Sequence, residues 1–142
     1  MSKNPTKAWD IKKYFEVIYS PTIIVSLVVL AVDLLSISAV FNFLIGGVFS
    51  LLLWLVKFIA SAYLGIKVSR ASGRIINALA AAVLFGICVG LVDVVGQLIY
   101  VWARPSGGIF HLTAISLIFL PINLAIFAAI VAMIAYIISQ KD

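Results

Sequence analysis

Charge is scarce in this 142-residue chain: Asp, Glu, Lys and Arg together make up 11% of it, against 65% hydrophobic residues. A soluble domain of this size must cover itself with polar side chains, so the scarcity excludes one. Cysteine and histidine occur once each, as Cys88 and His111. A single thiol rules out an intramolecular disulfide and a thiolate-rich metal centre, and one histidine without a second ligand at a fitting depth builds neither a haem site nor a metal site. Cys88 therefore reads as a small packing residue and His111 as an interfacial one. No Ser/His or Cys/His pairing, no pair of acids in a solvated cleft and no phosphate-cradling glycine loop is legible, so the chain is not expected to be an enzyme or to carry a cofactor or metal.

What is present is apolar sequence in runs of about 20 residues or more, the length a helix needs to cross a bilayer. Four such spans are predicted, Pro21 to Phe41, Gly47 to Val68, Ile75 to Ala103 and Ile109 to Ser139. All must be helical, because lipid offers no partner to a free backbone N–H or C=O. The fold class is all-α, a polytopic membrane protein whose four helices form two hairpins joined by "SRASGR" at Ser69 to Arg74. "FNFLIGG" and "RPSGG" serve as the other two turns, with Gly and Pro breaking the helices.

Residues 1–20 are set apart as a segment preceding the four-helix domain of 21–142, and no small-residue cleavage site marks them as a signal peptide. Within them Ile11, Tyr14, Phe15 and Ile18 share a helical face opposite Lys12, Lys13 and Glu16, the pattern of an amphipathic helix lying on the lipid surface. Ser20 before Pro21 then reads as a cap and first helical position for the first span.

Basic residues set the orientation. Lys3, Lys7, Lys12, Lys13, Lys67, Arg70, Arg74 and Lys141 fall on one side of the predicted membrane and only Arg104 on the other. Both termini and the middle connection should therefore face the cytoplasm of a cell membrane. The net charge of +5 accordingly points to anionic lipid at the cytoplasmic face and not to nucleic acid, which would need a basic folded surface.

Two octapeptides are alike: "VLAVDLLS" at Val29 to Ser36 and "VGLVDVVG" at Val89 to Gly96 carry an aspartate at the same place. "GGVF" at Gly46 to Phe49 and "GGIF" at Gly107 to Phe110 recur at nearly the same offset. The pattern suggests a duplicated two-span unit, its copies parallel about an axis along the membrane normal.

Each predicted span also has one polar side. Thr22, Ser26, Asp33 and Ser36 share a face of the first; Ser50, Lys57 and Ser61 one of the second; Gly86, Gly90, Asp93 and Gln97 one of the third; Thr113, Ser116 and Asn123 one of the fourth. Gly86 and Gly90 have the small-xxx-small spacing that lets two helices approach closely. The polar sides are expected to line the interior of a bundle or of an oligomer.

Counting inward from the outer turns at about 1.5 Å per residue puts Asp33 roughly 12 Å deep and Lys57 and Asp93 each roughly 15 Å deep. Each charge at that depth costs about 2.5 to 3.5 kcal/mol on an insertion scale, while each Leu, Ile, Val or Phe contributes only about 0.3 to 0.6. The layer reads in one of three ways: as an ion pair that holds the helices in register, as the site of a proton or cation that neutralises the carboxylate left without an ammonium, or as charges that contact a partner subunit. Translocation of a small ion or solute by an oligomer is the expected function. The competing class is a non-catalytic subunit or scaffold of a larger membrane complex.

Overall fold

The computed structural model describes residues 9–36, 39–103 and 114–140, and among them every regular element is a helix. There are four: α1 (Ile11–Ser36), α2 (Ala39–Ser72), α3 (Ile75–Ala103) and α4 (Ala114–Ser139). Each contains a stretch long and apolar enough to cross a membrane, namely Ile11–Leu35, Gly47–Ser72, Ile75–Tyr100 and Ile118–Ser139. The chain is a small multi-pass membrane protein built as a helical bundle.

The first helix departs from expectation. No break occurs at Ser20–Pro21: α1 runs uninterrupted from Ile11 to Ser36 with Pro21 inside it and buried. A proline inside a membrane helix loses one backbone hydrogen bond, a loss that neighbouring helices and local adjustments of the backbone make tolerable. The expected amphipathic face is split accordingly. Ile18 is buried and Tyr14 half-buried against α3, whereas Ile11 and Phe15 are exposed.

The expected first turn at 41–47 is helix as well: α2 is helical from Ala39, and residues 37–38 before it lie outside the described residues. "RPSGG" and His111 also lie outside them. At about 1.5 Å per residue α2 is roughly 50 Å long, well beyond a hydrocarbon core of about 30 Å, and its crossing stretch begins only at Gly47.

The α2–α3 turn is tighter than "SRASGR" suggested. Gly73, at φ 63°, occupies the left-handed position that ends α2, and its N–H donates to the Ser69 carbonyl at 2.8 Å. Ser72 Oγ donates to the Val68 carbonyl at 2.8 Å, and the Arg74 N–H donates to Ser72 Oγ at 3.3 Å. The end of α4 is tied to this turn, since Tyr136 donates its hydroxyl to the Gly73 carbonyl at 2.9 Å and Ser139 Oγ donates to Ser69 Oγ at 2.9 Å. The beginning of α1, the α2–α3 turn and the end of α4 thus share one end of the bundle.

α2 and α3 each pack against all three other helices, while α1 and α4 do not meet. A duplication about a two-fold axis would make the α1/α4 and α2/α3 pairs alike, so the repeat is not visible as symmetry. α1 and α3 run side by side in the same direction: Tyr14 meets Asn77, an offset of 63 residues, and Asp33 meets Gly96 at the same offset. The core consists of Ile18, Val25 and Val29 of α1, Leu64 and Val68 of α2, Ala78, Ala81, Ala82, Phe85 and Val89 of α3, and Leu124, Ala128 and Ala132 of α4. The predominance of alanine and valine lets the backbones approach closely, which is where helix association in lipid finds its packing energy. Gly65, Gly86 and Gly90 do this sharply: a Cβ at Gly86 or Gly90 would lie 2.5 Å from the Cα of Ala125 or Pro121 of antiparallel α4, and one at Gly65 would lie 2.5 Å from the carbonyl oxygen of Ala132.

Candidate intramembrane charged site

Three helices bring the three membrane-embedded charges together. Lys57 of α2 donates from Nζ to Asp93 Oδ2 of α3 at 2.7 Å, and both side chains are buried, at 6% and 11% exposure. The sequence left open which aspartate meets the lysine, and the structure assigns Asp93. Position follows from the helices: Asp93 is one turn beyond the Gly90 contact that clamps α3 to α4, and α2 packs beside that same stretch. Lys57 Nζ also stands 5.5 Å from the centroid of the Trp54 ring, whose face attracts a cation. Ser61, buried one turn along α2, donates its hydroxyl to the Lys57 carbonyl at 2.7 Å.

Asp33 of α1 is the third member, within electrostatic range of both Asp93 and Lys57. Its carboxylate lies directly against Gly96, where any Cβ would collide with it. Only glycine leaves that space, so α3 carries a carboxylate at Asp93 and, one turn further along, a socket for the carboxylate of α1. Asp33 Oδ2 is buried and has no hydrogen-bonding partner among the described residues. One ammonium can neutralise only one of two carboxylates, and Lys57 is engaged by Asp93.

Along its own helix Asp33 is three residues, about 4.5 Å, from the end of α1 at Ser36, while its neighbour Gly96 is seven residues, about 10.5 Å, from the end of α3 at Ala103. The charged group therefore sits toward the end of the bundle opposite Gly73, with Asp33 outermost. On the same face of α1, Thr22 Oγ1 and Ser26 Oγ are also buried without partners. They extend a polar line from Asp33 back toward the Gly73 end, where Tyr14 donates its hydroxyl to Asn77 Oδ1 at 2.8 Å.

The other expected lining residues fare differently. Gln97 is half-buried one turn beyond Asp93, and Ser61 is buried. Ser50 and Asn123 are exposed on the outside of the four-helix unit and do not line its interior. The reason is rotational: on α4 the inward side is claimed by Pro121, Leu124 and Ala125, which turns Asn123 outward. The side chains of Ser36 and Ser116, and Thr113 altogether, lie outside what is described. Trp54 was legible only as a packing or interface anchor, and Gly96 and the Tyr14–Asn77 contact were not singled out by sequence reasoning. Gly96 alone had a signal, as the position where "VGLVDVVG" ends in glycine while its counterpart ends in Ser36.

No group of three or more His, Cys, Asp or Glu residues among those described is placed to hold a metal ion. No family model, curated protein or solved structure matches the chain.

Proposed function

We propose that the protein translocates a small cation or proton across a cell membrane, with Asp33 as its transient binding group and the Lys57–Asp93 pair as its fixed counterpart. The observation that carries this reading is the unpartnered, buried Oδ2 of Asp33 beside a lysine already engaged by Asp93. A carboxylate in that setting is costly as a bare anion, so a proton or monovalent cation that arrives from the near end of the bundle is held there. Thr22, Ser26 and Ser61 offer oxygen atoms along the interior toward the other end. The protein acts as an oligomer, since four helices rarely enclose a permeation path alone. Lys12, Lys13, Lys67, Arg70 and Arg74 all belong to the Gly73 end of the bundle, which supports placing that end, with both termini, at the cytoplasm against anionic lipid.

The test is flux through the purified protein in liposomes. Asp33→Asn is expected to abolish proton or cation flux while the fold is kept, and Lys57→Met and Asp93→Asn are expected to alter it. No flux by the wild-type protein, or a flux indifferent to all three substitutions, removes the reading. A second reading draws on the Lys57–Asp93 pair, which bridges α2 and α3 as a structural clamp would: the protein is then a non-catalytic subunit of a membrane complex. In that case the substitutions lower stability, a partner co-purifies from native membrane, and the liposomes stay silent.

A further inference from the structure

We propose that the outer face of α4 is the contact between two copies of this chain, with the Asn123 carboxamides hydrogen-bonded to each other across a two-fold axis along the membrane normal. Depth comes first. α4 runs antiparallel to α3 with Ala125 against Gly86 and Pro121 against Gly90, so Asn123, between them, is level with the centre of the Ile75–Tyr100 crossing. It is exposed there, where hydrocarbon offers no hydrogen bond and a polar side chain ordinarily faces protein or water. It has no route inward. The opposite side of α4 is committed to α2 and α3 through Leu124, Ala125, Ala128 and Ala132, all buried.

The surroundings of Asn123 supply an independent sign. Phe119, Ile126, Ile130, Met133 and Ile137 are exposed too, and together with Asn123 they recur at alternating steps of four and three residues. That is the a/d seam of a left-handed pair of helices, with isoleucine at two of the a positions and the asparagine at the third. A single asparagine at an a position is the device that fixes register and a parallel two-stranded state. A carboxamide has both donor and acceptor, so it complements its own copy when two chains inserted in the same orientation meet face to face. As a corner helix that does not touch α1, α4 has this face free. The inference rests on the oligomeric part of the proposed function and not on translocation.

The experiment uses the full chain, with Cys88→Ala to remove the native thiol. Ile126→Cys and Ile130→Cys are expected to form disulfide-linked dimers on mild oxidation in native membranes, and Leu27→Cys on the exposed side of α1 is not. Association measured by energy transfer between labelled chains in vesicles should weaken about ten-fold with Asn123→Leu and be largely kept by Asn123→Gln. Because the residue is exposed, both variants should melt with the wild type. Cross-linking at positions 126 and 130 that does not exceed that at 27, or association unchanged by Asn123→Leu, overturns the proposal. Flux read in the same vesicles separates the two claims: cross-linked dimers without flux leave this interface standing and remove translocation.

Discussion

Replacing Lys57 with methionine removes the ammonium and keeps most of the side chain's volume. Asp93 is then left as a buried carboxylate, at 11% exposure, with nothing to donate to it. Breaking a buried pair from one side costs about 3 to 5 kcal/mol. At about 3 °C per kcal/mol for a chain of this size the melting temperature should fall by roughly 10 to 15 °C. The double variant Lys57→Met with Asp93→Leu removes both charges and should recover most of the loss, as apolar replacements of buried pairs do. Thermal unfolding in mild detergent, followed by circular dichroism, reads both. A single variant that melts within 2 or 3 °C of wild type at pH 7, or a double variant no better than the single, would refute a load carried by the pair.

Three further substitutions probe the frame around it. Gly90→Leu drives a side chain into the backbone of α4 at Pro121 and should cost at least about 1 to 3 kcal/mol, seen as a lowered melting temperature; an unchanged melt would mean that α3 and α4 are not so close. Gly73→Ala forces an L side chain into the left-handed region at φ 63° and should cost about 1 to 2 kcal/mol with flux retained, so that a melt equal to wild type would count against this turn. Gly96→Ala displaces the Asp33 carboxylate from its socket, and since an aspartate side chain can rotate away, flux should fall while the melting temperature shifts little. Intact flux in that variant would mean that the socket has no part in function.

The class of the molecule was legible in its composition, because lipid admits little besides helices and the four apolar runs are long enough to cross it. Counting turns inward along each span put Lys57 and the two aspartates at similar depth, and left their pairing as one reading among several. Helix ends were harder. Ser20–Pro21 has the residues of a helix start, yet the same pair is accommodated inside α1 once neighbouring helices surround it. Gly46–Gly47 reads as a turn, yet α2 passes through it. The polar sides with Asn123 and Ser50 could line either the bundle or an oligomer; periodicity shows that residues share a side but not which side meets a neighbour within the chain, and on α4 the buried alanines take that side. The Gly96 socket was out of reach for a related reason, since it depends on the parallel register of α1 against α3, which no single helix encodes.

The most direct test of the central claim is proton or cation flux in liposomes by wild type and Asp33→Asn, paired with a melting measurement on each. The account expects the wild type to conduct and the variant to be silent at an unchanged or raised melting temperature, because the amide removes an unpartnered buried charge without touching the Lys57–Asp93 pair. Equal flux from both proteins would contradict it.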